Sequence, residues 1–399
     1  MQISGQHIDG VPVGGARIHY MDNLRALAML AGVVFHAALA YSPLIHPFWP
    51  PADTSGSPLV DVAAWFLHLF RMPLFFAVAG FFAALLVERR GMAGLFCNRA
   101  ARVLLPLLVF LLPVLLGMHW LTVRAAATVA HPSPVLAFVR AYVDAHGALP
   151  LAPGLAHLWF LLYLLLFTVL VWVCRTLAPR RPAGWPALHP AVLPLLGPAL
   201  LVPALAGTSV PWPAPESPLP PLWAIAYFGA YFALGYRYFR RPALIDALQR
   251  MSPLLLVGAI AAYAALPWVA GGPITGSPVQ HAVHAALEAY AGAWMTLWCL
   301  LAGKRWLDGA SRVMRWLSAS SYWVYLVHLP VLFAIQYSLL DVQLHWVAKF
   351  GLSVAATFVV SFASYQWLVR RTIVGRLLGE KAPTAAQSAG AARDRMAAK

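Results

Sequence analysis

The sequence predicts an all-helical, polytopic integral membrane protein with about ten transmembrane helices. The 399-residue chain is 61% hydrophobic and only 10% charged, whereas soluble proteins carry roughly 25% charged residues. Apolar runs of about 20 residues, the length that crosses the hydrocarbon core of a bilayer, recur from Leu24 to Arg370. The basic residues are concentrated in alternate connections between these runs. Together these features leave no room for a separate soluble domain.

The apolar runs are bounded by Pro, Gly or charged residues. They cover residues 24–42, 60–87, 103–123, 155–177, 189–208, 222–239, 252–270, 282–302, 318–340 and 347–369. The fifth contains several prolines, which kink a helix and leave carbonyl groups that neighbouring helices must satisfy. We expect an N-terminal tail over 1–20, a membrane domain over 21–371, and a partly disordered C-terminal tail over 372–399.

The distribution of basic residues predicts the orientation. With the N-terminus in the cytoplasm, inner segments hold 24 of the 28 Lys and Arg residues, and outer segments hold three. This positive-inside bias places both termini in the cytoplasm. It also accounts for the net charge of +15, so we expect membrane lipid rather than nucleic acid as a partner.

The first span places Arg25 and His36 on one face of a helix. They are eleven residues apart, and eleven steps of about 100° end about 20° past three full turns, roughly 16 Å along the axis. Ionisable groups inside a membrane are functional candidates by default. The alternative is that Arg25 snorkels to the inner surface and that His36 forms a structural hydrogen bond between helices.

Two further ionisable residues fall at a depth like that of His36. Arg71 lies in the second span, where a charge must face a cavity or a partner; the alternative is an arginine bound to backbone carbonyls. His328 lies in the ninth span after several Ser and Tyr residues, and a packed, hydrogen-bonded histidine is as consistent with that position as a catalytic one. Two histidines at similar depth suggest a shared polar centre.

Two other patterns have weaker implications. Arg99 and Arg102, at i and i+3 on one face of the helix that enters the third span, suit phosphate groups, although basic residues at the inner surface also signal topology. His281, His284 and Glu288 share a helical stripe at the outer end of the eighth span. A polar lining of an outer vestibule is favoured there over a metal site.

The sequence contains no motif for nucleotide hydrolysis, a Rossmann cofactor, zincin chemistry or a serine nucleophile elbow. It also offers no candidate pair of carboxylates. Histidine is therefore the natural general base, and we expect no metal.

Several segments, taken in chain order, resemble the membrane acyltransferase 3 family over nearly the whole span region. They are DNLR with Asp22, Arg25 and the following His36, RMPLFFAVAGFF with Arg71, the pair Arg99 and Arg102, HLWFL with His157, and SYWVYLVHLP with His328. VERRG and LVRRTIVGRLLGEK further resemble the glucan biosynthesis protein C subgroup, whose members succinylate periplasmic glucans. The acyl group and the acceptor stay open.

The resemblance implies a cytoplasmic acyl-CoA donor, with succinyl-CoA and acetyl-CoA as candidates. It implies a hydroxyl acceptor on an extracytoplasmic glycan or another molecule at the bacterial inner membrane, with Arg25 and His36 essential. The roles that follow are a general base for His36, donor charge or helix position for Arg25, an oxyanion contact for Arg71, orientation of His36 or the substrate for His328, and donor phosphates for Arg99 and Arg102.

Two alternatives use the same residues differently. A transporter or flippase for an anionic solute would need the buried cations without chemistry, and it predicts solute flux and no acyl product. A non-catalytic membrane partner of a glycan-synthesis complex would depend on His36 only through stability.

Overall fold

The structure, a computed structural model, describes residues 7–8, 11–12, 18–177, 190–208, 214–266, 269, 277–370 and 372–378. The helices are α1 (His19–Leu39), α2 (Pro58–Arg99), α3 (Leu105–Thr128), α4 (Pro134–His146), α5 (Trp159–Leu177), α6 (Val192–Ala199), α7 (Val202–Ala206), α8 (Leu222–Arg240), α9 (Ala243–Asp246), α10 (Ser252–Ala264), α11 (Pro278–Trp306), α12 (Arg312–Leu339), α13 (Trp346–Ser364) and α14 (Ile373–Leu377). Two short strands, β1 (His7–Ile8) and β2 (Val11–Pro12), pair antiparallel in the N-terminal tail.

The all-helical fold class is confirmed. Among the residues that the structure describes, seven helical runs are long and apolar enough to cross a membrane. One of them, Pro58–Thr128, contains both α2 and α3 and has 71 residues, far more than the roughly 20 that one crossing needs. The count of about ten spans stays a prediction, as does the division into two tails and one membrane domain.

The fifth predicted span is not one continuous helix. It consists of α6, with eight residues, and α7, with five. Pro198 has no N–H for the carbonyl of Pro194, and the indole N–H of Trp294 on α11 donates to that oxygen at 2.8 Å instead. A neighbouring helix therefore satisfies the carbonyl that a proline leaves open, as the sequence predicted.

Large apolar side chains cover the outer surface of several helices. On α3, Leu108, Leu112 and Leu116 repeat at four-residue spacing and are 66%, 56% and 48% exposed. A soluble protein would bury such a stripe. Together with the apolar helical runs, this surface is that of a multi-pass membrane protein.

The long connection after α3 contains a helix, α4, that no pattern in the sequence predicted. Its N-cap is Ser133, and its C-cap is Gly147, which adopts a φ of 81°. Arg140 donates to the carbonyl oxygens of Ala126 and Val129 at 2.5 Å each. These bonds satisfy carbonyl groups at the end of α3, so α4 covers that end of the bundle.

Helices α1 and α12 lie side by side and run in the same direction. Arg25 donates to the hydroxyl of Ser318 at 3.1 Å. Eleven residues later on α1, His36 meets His328, which lies ten residues after Ser318 on α12. The two contacts are eleven residues apart on α1 and ten residues apart on α12. Both therefore lie along one line of contact between the two helices, which we call the seam.

Helices α2 and α8 are in direct backbone contact. A Cβ atom on Gly235 would lie 1.7 Å from the carbonyl oxygen of Ala77, and one on Gly80 would lie 1.9 Å from that of Phe232. Small residues permit this close approach between membrane helices. The contact fixes the position of α2, the helix that carries Arg71.

We predict that Gly235→Ala destabilises the protein, because α8 must move away from Ala77 to admit one methyl group. Overpacking of this kind typically costs about 1–3 kcal/mol. The measurement is thermal unfolding of the purified protein in detergent. Gly351→Ala on α13 is the control, since no atom lies within 4 Å of its added Cβ; equal unfolding temperatures for the two variants would contradict the prediction.

Candidate active site

A cavity of about 400 Å³ lies between α1, α2, α5 and α12. Most of its wall is aromatic or aliphatic. The ionisable side chains on the wall are His36, His68, Arg71, His157, Glu216, Tyr325 and His328. An apolar pocket with a few convergent polar groups is the usual form of a small-molecule site, so this cavity is the candidate active site.

His36 of α1 and His328 of α12 meet at the cavity wall. Nδ1 of His36 lies 3.0 Å from Nε2 of His328, and the ring centroids are 5.1 Å apart. Nδ1 of His328 lies 2.7 Å from the carbonyl oxygen of Tyr325. Because a carbonyl only accepts, this nitrogen carries the proton. Nε2 of a neutral His328 is then the acceptor, and the Nδ1–H of His36 donates to it.

This order of hydrogen bonds determines which nitrogen of His36 holds a lone pair. With its proton on Nδ1, a neutral His36 has the lone pair on Nε2. No hydrogen bond to this Nε2 is present within the described part of the chain, and His36 borders the cavity. A hydroxyl bound in the cavity can therefore donate to Nε2 and lose its proton there.

Arg71 of α2 lies against the same region of α1. Its guanidinium carbon is 4.6 Å from the centre of the Phe35 ring, a cation–π distance. A Cβ on Gly32, one helical turn before His36, would lie 3.0 Å from Nη1 of Arg71. Arg71 is buried, with 7% of its surface exposed. Among the described residues, no hydrogen-bond partner is present for its Nε. The side chain is a buried cation with unused donor capacity beside His36.

Arg25 lies outside the cavity. It forms an ion pair with Asp22 at 3.2 Å and donates to Ser318 at 3.1 Å. Its guanidinium carbon also lies 5.6 Å from the centre of the Phe82 ring. Arg25 and His36 both contact α12, so they lie along one seam, but only His36 reaches the cavity.

An irregular segment carries Arg99 and Arg102. The helix α2 bends at Gly91, which adopts a φ of 67°, and a π-helical turn over Ala100–Leu104 follows Arg99. Arg99 is half-buried, whereas Arg102 is exposed. The expectation that Arg99 and Arg102 share one face assumed α-helical spacing between them. The π-helical turn interrupts that spacing. Neither arginine borders the cavity.

Tyrosines of α12 connect this arginine pair to the cavity. The hydroxyl of Tyr322 donates to the carbonyl oxygen of Arg102 at 3.0 Å. The Tyr322 ring stacks on Tyr325, with centroids 6.3 Å apart, and Tyr325 borders the cavity. Tyr322, Tyr325 and His328 follow at three-residue intervals on one side of α12, a distance of about 9 Å along the axis.

His157 was part of the family resemblance but was not predicted as a site residue. Its Nε2 lies 3.3 Å from the carbonyl oxygen of Leu326, and its ring centroid is 4.9 Å from that of His328. Pro330 lacks the N–H that would otherwise bind the Leu326 carbonyl within α12. A proline four residues after Leu326 was therefore a signal in the sequence that this carbonyl needs another donor.

His68 and Glu216 also border the cavity, and no pattern in the sequence predicted either of them as a site residue. In contrast, His284 and Glu288 are buried in the protein interior, at 2% and 1% exposure, and do not border this cavity. Their expected role as the lining of an outer vestibule stays a prediction. Across the described ranges, no group of three or more His, Cys, Asp or Glu side chains could hold a metal ion.

Apolar helices around a cavity with a histidine pair and a buried arginine define a multi-pass membrane protein with the elements of an enzyme. The chain matches the family model of an acyltransferase domain over residues 18–366, from the start of α1 into the π-helical turn after α13. It belongs to the acyltransferase 3 family. This confirms the resemblance drawn from the sequence motifs.

The chain is also similar to the glucans biosynthesis protein C of Escherichia coli strain K12 and to the protein of the same name from strain SMS-3-5 / SECEC. Each is 30% identical over 165 residues, which cover 41% of this chain and 40% of the relative. The chain thus spans about two fifths of the length of these relatives. No solved structure matches the chain.

We predict that Gly32→Ala lowers acyl transfer about tenfold or more, because the new methyl group displaces the Arg71 guanidinium and small misplacements at a reacting centre cost up to about 100-fold. The unfolding temperature should stay equal or rise, since alanine stabilises a helix by about 1 kcal/mol relative to glycine. Activity and thermal unfolding of the same preparation test this. Gly117→Ala on α3, where a Cβ meets no atom within 4 Å, is the control; unchanged transfer by Gly32→Ala would contradict the placement of Arg71.

Proposed function

We propose that the protein is a membrane O-acyltransferase that moves a short acyl group, such as succinyl or acetyl, from cytoplasmic acyl-CoA to a hydroxyl of an extracytoplasmic glycan. The observation that carries this proposal is the hydrogen bond between His36 and His328 at the cavity wall. The similarity to glucans biosynthesis protein C supports a glycan as the acceptor.

The reaction is a direct transfer with His36 as the general base. Nε2 of His36 takes the proton of the acceptor hydroxyl as its oxygen attacks the thioester carbon. The C–S bond then breaks, the new ester forms, and the proton passes to the departing thiolate, so that free CoA leaves. While His36 is protonated, its Nδ1–H continues to donate to Nε2 of His328, whose own proton is held by the Tyr325 carbonyl. His328 is thus a positioning residue.

Arg71 stabilises the negative charge that develops on the thioester oxygen. Its guanidinium is buried beside α1, and the protein leaves part of its donor capacity unused. In a site that excludes water, such a preorganised donor strongly stabilises the transition state. Removal of one oxyanion donor typically lowers the rate by about 10²–10³-fold. The Phe35 ring and the absence of a side chain at Gly32 hold the guanidinium in place.

Arg99 and Arg102 bind the phosphates of the donor. A cavity of about 400 Å³ suits an acyl group and the thioester but not a nucleotide as well, because drug-sized ligands already fill about 300–1,000 Å³. The flexible arm of CoA can follow the side of α12 that carries Tyr322 and Tyr325. This path joins the arginine pair to His328.

The proposed orientation places both termini in the cytoplasm of a bacterial cell and the protein in its inner membrane. The 24 to 3 distribution of basic residues supports it. Arg25 then lies nearer the cytoplasmic end of the seam between α1 and α12, where its contacts with Ser318 and Asp22 position α1.

Labelled acyl-CoA supplied to membranes that contain the protein separates this proposal from a transporter or flippase of an anionic solute. Transfer predicts label on an extracytoplasmic glycan together with one free CoA thiol per ester formed. Solute flux without an acyl product would favour the transporter and overturn the proposal.

We predict that His36→Ala lowers acyl transfer by about 10²–10⁴-fold, the usual contribution of a general base, while the protein still inserts and folds. His328→Ala should cause a smaller loss, because it removes the group that orients the base but leaves the base. Transfer rates are compared at equal amounts of membrane-inserted protein. His119→Ala on α3, a histidine away from the cavity, is the control, and a near wild-type rate for His36→Ala would exclude His36 as the base.

We predict that the double variant Arg99→Gln/Arg102→Gln raises the KM for acyl-CoA about tenfold or more, because charged hydrogen bonds contribute about 1.5–3 kcal/mol each. The KM for the acceptor should change little, since the acceptor arrives from the other side. Arg312→Gln/Arg315→Gln on α12 has the same spacing and removes two exposed cations at the same end of the bundle. Equal effects of the two double variants would indicate a general role of basic charge rather than phosphate binding.

A further inference from the structure

Two connections meet at one end of the cavity, which we call the mouth. One joins α1 to α2 and contributes Phe48, Trp49 and Pro50; the other precedes α8 and contributes Ala214 and Glu216. The mouth lies beyond His36 towards the end of α1, on the opposite side of the cavity from the seam contact of Arg25. In the proposed orientation it opens to the outside.

Backbone hydrogen bonds hold Glu216 at the mouth. The N–H of Leu155 donates to the carbonyl oxygen of Glu216 at 2.9 Å, and the N–H of Glu216 donates to Ala214 at 2.9 Å. Leu155 is followed by Ala156, which adopts a left-handed φ of 44°, and then by His157. The residue is therefore connected directly to the turn that places His157 beside His328.

The carboxylate of Glu216 is the only one that borders the cavity among the residues that the structure describes. No hydrogen bond or ion pair of this carboxylate is present within those residues. An acceptor group at the entrance of an apolar cavity is thus available to a ligand, and a ligand that donates hydrogen bonds satisfies it best.

Trp49 supplies a complementary group at the same mouth. Its ring lies parallel to that of His36, with an interplanar angle of 4° and centroids 6.2 Å apart. Its indole N–H is buried and, in the described part of the chain, has no partner. An unused donor and an aromatic surface therefore lie beside the proposed base, and an unused acceptor borders the same cavity.

We propose that Glu216, together with Trp49, binds the acceptor and selects a polyhydroxylated sugar ring over an alcohol with a single hydroxyl. This inference rests on the proposed acyl transfer. One hydroxyl of the ring donates to Glu216, another accepts from the Trp49 indole, and a third reaches Nε2 of His36. A simple alcohol can make only the last contact. The carboxylate also disfavours acceptors that carry negative charge near the reacting hydroxyl.

The test compares Glu216→Gln and Trp49→Phe with the wild type in purified form, on two acceptors. One is a glucose oligosaccharide and the other is n-hexanol, with the acyl-CoA that the wild type uses. Glu216→Gln keeps the size of an exposed side chain, so the fold should persist. Asp144→Asn on α4 is the control, since it removes another exposed carboxylate from the same end of the bundle.

We expect each variant to raise the KM for the oligosaccharide about tenfold or more, with the KM for acyl-CoA and the rate with hexanol near the wild-type values. An unchanged oligosaccharide KM, or a fall in kcat alone with both acceptors, would overturn this role of Glu216 and Trp49 while leaving acyl transfer intact. Absence of transfer to both acceptors by the wild type would instead contradict the proposed function.

Discussion

The seam between α1 and α12 determines the geometry of the site. Three polar contacts hold the two helices in one register, because a slip of one residue moves every pair by about 1.5 Å and rotates it by about 100°. The contacts join Arg25 to Ser318, His36 to His328, and Gln336 to the carbonyl oxygen of Ala37. Surrounded by lipid rather than water, these groups have few alternative partners. The seam that positions the proposed base is therefore also a structural element.

Irregular backbone in this protein coincides with polar contacts. Pro330 leaves the Leu326 carbonyl to His157, and Pro198 leaves the Pro194 carbonyl to Trp294. The π-helical turn between α2 and α3 places a tyrosine hydroxyl on the carbonyl of Arg102. In a bilayer an unsatisfied carbonyl is costly, so each interruption of a helix requires a donor from a neighbour. The interruptions thus create contacts between helices.

The histidine pair differs from a triad that ends in a carboxylate. A neutral carbonyl, that of Tyr325, holds the proton of His328, so the chain of hydrogen bonds selects a tautomer without adding negative charge beside Arg71. The one carboxylate bordering the cavity, within the described ranges, lies at the mouth on Glu216. The buried guanidinium is therefore free of a competing anion and available to an oxygen of the substrate.

Apolar periodicity, charge distribution and motifs determined the helical membrane class, the position of most helices, the family, and the residues His36, Arg71 and His328 as candidates, since these follow from the solvent that each segment faces. Only the tertiary structure decided that His36 and His328 share a hydrogen bond, that Arg25 lies outside the cavity, and that His68, His157 and Glu216 border it. Residues nearly three hundred positions apart meet through helix packing, and a loop carboxylate has no periodicity that reveals its neighbours. The local sequence of each helix reflects whether that helix faces lipid, water or protein. Which side chains face each other across a cavity depends on the packing of all the helices.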